Sequence, residues 1–274
     1  MGVQRRRCAA CLLAGLLTAA AAEEPQGYRP LDLSKVPYSN LGDLGPTHGF
    51  PTSLRFANVT RVGDASVDLA VVVEGSYTPF DVNQNHASGH GKQIGNVNVK
   101  VGQVAKLLFK FFRSGTATPA TVKDLYFSFF MTNPQERVRV GSEGGHSFSR
   151  YCLSSSTGLV ADAHKDTVEF KPHGSGSAYS LPMDPNDLDT VVEKQAVTLF
   201  FPSVSIFPVT VDLSGKEEEL GSNFAFSGNR AIGGSCTAWG GHAVVTTTTI
   251  TTTTMATTTT KTTTTIAATT TQAP

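Results

Sequence analysis

The sequence predicts an all-β fold, a two-sheet antiparallel β-sandwich or jelly roll, followed by a disordered threonine-rich tail. Three observations carry this expectation. About a dozen short stretches alternate in polarity at strand spacing, with Gly, Pro and Asn turns between them. No segment sustains a helical period. The third observation is Thr121–Asn133, TVKDLYFSFFMTN, which is apolar on both faces. Leu125, Phe127, Phe129 and Met131 fall on one side of an extended strand, and Tyr126, Ser128 and Phe130 on the other. Such a strand needs cover on both sides and is therefore central.

Both ends of the 274-residue chain read as non-globular. Residues 1–22 run from Arg5, Arg6 and Arg7 through an apolar stretch to small residues ending at Ala22. That order is a secretory signal peptide, and the apolar run is too short to cross about 30 Å of hydrocarbon. Residues 23–37 form a lead, and 38–245 are the size of one large sandwich domain. From residue 246 to 274 the chain is mostly threonine, which suits an O-glycosylated stalk or linker. No apolar tail follows, so no transmembrane or lipid anchor is visible. A linker that ends at Gln272-Ala273-Pro274 suits a piece of a longer modular protein.

The chain has 22 basic and 22 acidic residues. Removing the three leader arginines leaves 19 against 22, a net charge of −3. No basic patch stands out along the sequence, which argues against nucleic acid or an anionic membrane as partner. Cys8 and Cys11 leave with the leader. Cys152 and Cys236 then form an even pair in an oxidising compartment, and the expectation is one disulfide worth about 4 kcal/mol. Two separate buried thiols are the alternative.

The strands expected are Leu54–Thr60, Ser66–Tyr77, Ile94–Val101, Val104–Arg113 and the central Thr121–Asn133. Arg137–Val140, Arg150–Leu153, Leu159–Ala163, Thr167–Phe170, Thr190–Pro202, Val204–Leu213 and Asn223–Ser227 complete the set. One helix is expected to start at Asp184, with Pro185 in its first turn. Asn58-Val59-Thr60 is an N-glycosylation sequon, meaningful in an exported chain.

Chemistry is sparsely signalled. Asp81, Asn83 and Asn85 place oxygen ligands on alternate residues, as calcium prefers. His86 and Lys92 stand where an EF-hand needs glycine and a bidentate acid, leaving an irregular calcium loop or an ordinary Asx turn. Asp184, Asn186, Asp187 and Asp189 form a second acidic group, with calcium binding and helix capping by Asp184 as the two readings. His86 and His90 alone are too few for a zinc site. Trp239, Tyr77 and Tyr179 are candidate ligand-stacking residues, Trp239 serving equally well as a packed plug. Tyr38 also lies near a loop. Catalytic signatures are missing, and no catalytic residue is assigned. Glu136, Glu143 and Glu169 are left as conceivable members of a carboxylate pair, which has no local spacing.

Motifs spread over residues 38–228 carry a resemblance. They are NLGDLGP at 40–46, LRFANV at 54–59, SVDLAV at 66–71, YTPFD at 77–81 and GNVNV at 95–99. FSFF at 127–130, QERV at 135–138, HGSG at 173–176, AVTLFF at 196–201 and NFAFSG at 223–228 extend it. The chain resembles a secreted, lectin-like β-sandwich module of microalgal and bacterial extracellular proteins. Acids that follow the FSFF strand in similar modules are replaced here by Met131, Thr132 and Asn133. The resemblance implies a secreted sandwich and brings no catalytic residues with it.

The leading expectation is a secreted, non-catalytic binding or adhesion module for an extracellular polysaccharide or glycoprotein. Loops at one sandwich end would make the contact, with calcium the one cofactor they suggest. Two other readings stay open: a structural component of matrix or cell wall, and a polysaccharide-active enzyme on a jelly-roll scaffold.

Overall fold

The computed structural model describes residues 29–141, 148–164, 167–173, 181–214, 220–229, 232, 239–241, 247–254 and 257–264. The fold over them is the expected two-sheet antiparallel sandwich. The first half of the chain supplies β1 (Tyr38–Ser39), β2 (Ser53–Val62), β3 (Ala65–Val73), β4 (Ala87–Ser88), β5 (Ile94–Lys100), β6 (Val104–Arg113) and β7 (Val122–Phe130). The second half supplies β8 (Arg137–Gly141), β9 (Arg150–Leu153), β10 (Leu159–Ala163), β11 (Thr167–Pro172), β12 (Ala196–Val204), β13 (Ile206–Asp212), β14 (Gly221–Ser227) and β15 (Trp239–Gly241). Sheet one runs β1-β2-β3-β6-β13-β8-β11-β10, and sheet two runs β15-β9-β12-β7-β14-β5-β4.

Alternation decides which side chains meet between the sheets. In β6, Ala105, Leu107, Phe109 and Phe111 are buried while Lys106 and Arg113 are exposed. Phe109 faces across to sheet two and meets Phe127 at 5.4 Å and Phe226 at 5.0 Å, both edge-on, and stacks on Phe207 at 5.0 Å within its own sheet. Phe56, Phe129, Phe201 and Phe224 extend the same cluster. Aromatic pairs of this geometry add to the burial of large apolar surface.

The central strand is where its two-faced pattern predicts. β7 lies fourth of seven in sheet two, between β12 and β14. Leu125, Phe127, Phe129 and Met131 enter the inter-sheet core. On its other face Phe130 packs with Ile94, Cys152, Val192, Ala196, Ala225 and Ile232. Ser128 on that face hydrogen-bonds with Thr198 at 2.8 Å and donates to Asn229 O at 2.7 Å, so its buried hydroxyl is satisfied. Among the described residues, cover comes from Leu181, Leu188, Val192, Asn229 and Ile232.

The lead also contributes. Leu31 and Leu33 are buried in the main core, and Leu31 N donates to Gly228 O at 3.1 Å. A Cβ on Gly228 would collide with the Leu31 side chain, so the glycine permits that close approach.

Several expected boundaries move. The helix expected from Asp184 is absent there; a four-residue helix, α1 (Thr190–Glu193), forms instead, capped by Asp189. Asp189 Oδ1 accepts from Val191 N at 2.8 Å and Val192 N at 2.9 Å. Asp184 instead closes an Asx turn onto Asn186 N at 2.8 Å, which its own side chain stabilises locally. The strand expected from Thr190 therefore begins at Ala196. β3 stops at Val73, four residues before Tyr77. The short β1, β4 and β15 carry too few residues to show a period. In the tail, expected to be unstructured, β16 (Thr247–Thr254) pairs with β17 (Thr257–Thr264) in a hairpin outside both sheets. Threonine's β-branched carbon favours such extended backbone.

Glu136, at the start of β8, is fully buried. Its Oε2 accepts from Thr132 N at 3.1 Å and Asn133 N at 3.4 Å, and Oε1 has no partner among the described residues. Burial pushes its carboxyl up to about 8, against the two backbone donors that pull it down. The unfolded chain ionises this group near 4.5, so the folded state holds an extra proton between that pH and about 8. This contribution to stability is complete in acid and is lost as pH rises through that window.

Phe127→Ala removes a ring at the centre of the core and should lower unfolding free energy by about 3–5 kcal/mol in urea titration. An effect below 1 kcal/mol would contradict the packing described. Glu136→Gln should abolish a decline in stability of roughly 1 kcal/mol per pH unit between pH 5 and 8. Parallel pH–stability curves for both proteins would show that Glu136 is not the group responsible.

Candidate functional site

The outer face of sheet one carries the candidate site. Along β2 and β3, Leu54, Phe56, Val67, Leu69 and Val71 point inward, so Ser53, Arg55, Asp68, Ala70 and Val72 point out. Ala57 and Ala70 are short, and the sheet surface sinks over them. Tyr38, Pro37 and Pro51 form one wall, and Phe112 with the 114–117 turn forms the other. The result is an open groove of about 650 Å3. Tyr38 stacks on the half-exposed Phe50 at 5.2 Å, which fixes that wall.

An ion pair lies in the groove. Asp68 Oδ2 accepts from Arg55 Nε at 3.1 Å and Nη2 at 3.0 Å, and Arg55 Nη2 also donates to Thr116 O at 3.1 Å. The guanidinium sits over the Phe112 ring, 5.2 Å from its centroid. Asp68 Oδ1 accepts from Asn58 N at 2.8 Å and from the Ser114 hydroxyl, and Gly115 N adds a bond to Oδ2 at 3.3 Å. Burial alone would raise the Asp68 carboxyl. The donors from Asn58, Ser114, Arg55 and Gly115 more than offset this and hold it below its usual range. Arg55 Nη1 makes no hydrogen bond among the described residues. The arrangement is a rigid, mostly apolar trough with unused donors on a fixed cation.

Asn58 borders this groove. It is exposed, at φ +56° beside the β-bulge between Phe56 and Thr60, a conformation asparagine tolerates well. The sequon is thus accessible.

The residues singled out from sequence are scattered. Tyr77 is partly buried against the core, its Oη 2.6 Å from Asn98 O and 3.1 Å from Asn85 Oδ1. Burial pushes its hydroxyl well above the ordinary tyrosine value. Its hydroxyl thereby braces a loop. Asp81 caps the turn Val82–Gln84, its Oδ1 accepting from Asn83 N at 2.9 Å and Asn83 Nδ2 at 3.0 Å. Asn85 is buried, and its Oδ1 also accepts from Asn98 N at 2.8 Å. The three side chains therefore do not present a common set of free oxygens.

In the second loop, Asp184 Oδ1 is held by Asn186, and Asn186 Oδ1 accepts from Asn229 Nδ2 at 3.1 Å. Asp187 donates its N–H to Asp184 O at 3.3 Å, closing the turn. The two loops do touch, because His90 N donates to Met183 O. No group of three or more His, Cys, Asp or Glu poised for a metal occurs among the described residues. Of the three glutamates, Glu136 is enclosed and Glu169 accepts from Arg139 Nε at 2.5 Å on the outer face of sheet one, so these two share no cleft. Glu143, Tyr179, Cys236 and the 1–22 leader lie outside the described residues. Trp239 is opposite Cys152 in the β15–β9 pairing.

The Arg55–Asp68 groove went unread in the sequence. Its signal was opposite charges at outward positions of neighbouring strands, next to small outward residues. Register alone brings them together.

No helix among the described residues is long and apolar enough to cross a membrane. No protein-family model matches the chain, and no curated protein matches it. In fold, the chain is similar to the N-terminal domain of the Streptococcus gordonii adhesin Sgo0707, at 11% identity and a TM-score of 0.36, over 65% of this chain and 46% of that one. It is similar also to the adhesin domain of PrgB from Enterococcus faecalis, at 12% identity and a TM-score of 0.35, over 65% and 63% of the two chains. The chain thus spans less than two-thirds of either structure. Likeness at this level identifies no shared site and transfers no residue role.

Proposed function

We propose that the protein is a secreted, non-catalytic adhesion or binding module whose groove on sheet one takes an extracellular polysaccharide or glycoprotein glycan. The observation that carries this is Arg55, held by Asp68, Thr116 and Phe112 with Nη1 left over, in an apolar trough walled by Tyr38. A sugar ring has an apolar C–H face and a rim of hydroxyls. The Ala57, Ala70 and Val72 floor suits the first, and Arg55 with the Ser114–Thr116 turn suits the second. Preorganisation favours affinity, because the ion pair is already ordered before any ligand arrives.

Export is part of the same reading. The 1–22 leader, the accessible Asn58 sequon and a Cys152–Cys236 disulfide belong together in an oxidising compartment. Non-reducing peptide mapping of the secreted chain should recover one peptide pair joined through Cys152 and Cys236. Alkylation of both thiols without reduction would refute the disulfide.

The binding test is a glycan array probed with the secreted chain, in calcium and in EDTA, alongside Tyr38→Ala and Arg55→Ala. We expect a glycan signal that falls about tenfold or more in each variant, the scale of one lost contact of about 1.4 kcal/mol. A signal lost in EDTA and unaffected by both substitutions would reassign binding to calcium loops at Asp81–Asn85 or Asp184–Asp187. No signal from folded protein in either buffer would overturn the reading in favour of a structural wall or matrix component.

A further inference from the structure

A second pocket has a different chemistry. It holds about 210 Å3 where the end of β2 meets the start of β7 and the lead. Arg29, Arg61 and Lys123 line it, with Asp124 the one acid among them. All three cations are exposed. Elsewhere, Arg55, Arg139 and Lys171 are each paired with a carboxylate. Arg29, Arg61 and Lys123 make no ion pair among the described residues. Arg61 Nη2 donates to Asp64 O at 2.8 Å, which anchors the guanidinium and leaves its other donors available. Three cations against one acid therefore face a small concavity with a net charge of +2.

These residues are distant in sequence, at positions 29, 61 and 123, so no run of basic residues announces them. Like charges gathered without counter-ions repel one another, and a bound anion relieves that cost. The lining also carries the Thr60 hydroxyl and apolar Val62, Val122 and Leu125, with no aromatic ring. A single-stranded nucleic acid site uses aromatic platforms for its bases, which this pocket lacks. Three basic residues are likewise fewer than the clusters that hold proteins on anionic membranes. An anionic group on a hydroxyl-rich chain fits both the charge and the mixed lining.

We propose that the Arg29–Arg61–Lys123 pocket binds the sulfate or carboxylate groups of an acidic polysaccharide. The site is separate from the groove and does not rest on it. The test measures binding of the full secreted chain to immobilised dextran sulfate, carboxymethyl dextran and plain dextran at about 150 mM salt. Arg61→Ala/Lys123→Ala is the key variant, Lys123→Glu a second one, and Lys106→Ala, which removes an exposed cation of β6 outside both this pocket and the groove, the control.

Wild type and Lys106→Ala should bind one or both charged dextrans and not the plain one. Which of the two binds distinguishes sulfate from carboxylate. Affinity should fall about tenfold in the double variant, as expected for two lost charge-assisted contacts. Salt of about 0.5 M should abolish binding, since screening then acts within a few ångströms. Both variants alter exposed side chains, so unchanged melting curves confirm that they fold. Equal binding by wild type and the folded double variant would overturn the proposal. So would equal binding to plain dextran, or a tighter, pocket-dependent interaction with a single-stranded DNA oligonucleotide.

Discussion

The structure depends on one layer of interleaved phenylalanines. Phe56, Phe109 and Phe207 project from sheet one, and Phe127, Phe129, Phe201, Phe224 and Phe226 project from sheet two. Their rings meet at 4.7–6.4 Å in stacked, tilted and edge-on pairs. Rings this large hold two twisted sheets about 10 Å apart and leave little room for repacking. Phe109 and Phe127 each touch partners from several strands, so the register of β6, β7, β13 and β14 is coupled through them. A one-residue slip in any of these strands would turn its phenylalanines to the opposite face.

That layer uses only the inner faces, and the two outer faces then meet different fates. On the outer face of sheet two Leu181, Leu188, Val192 and Ile232 pack against Phe130, Ala225 and Ile94 and bury them. The Ser128 hydroxyl on that face is paired internally, with Thr198 and Asn229 O. Among the described residues, none covers the outer face of sheet one over the Arg55–Asp68 groove. Sheet one carries charge pairs instead, Arg55–Asp68 over β2 and β3 and Arg139 with Glu169 and Asp212 over β8, β11 and β13.

The alternating segments were legible because a period of two is a local property. Val104–Arg113 was recognised to the residue, and the Thr121–Asn133 expectation narrowed only to Val122–Phe130. Where the chain leaves the sheets, local signals misled. Asp184-Pro185 has the composition of a helix start, yet Asp184 closes a turn and Asp189 caps the helix. An N-cap works only where the following residues are free to wind, and here the turn through Asn186 is tied to Asn229. Tyr77 looks exposed in a Gly- and Asn-rich loop, but Asn85 and Asn98 draw its hydroxyl inward. Tyr38, an equally plain loop tyrosine, is the one that borders the groove.

By itself the sequence determined the fold class, the central strand and the apolar sets that face the core, because hydrophobic burial follows a periodicity visible along the chain. It also determined the leader pattern, the sequon and the threonine-rich composition. Only the tertiary structure decided that Arg55 meets Asp68 across β2 and β3, and that Arg29, Arg61 and Lys123 share one pocket. Those contacts join residues tens of positions apart, and their positions depend on strand order and register, which no local pattern records.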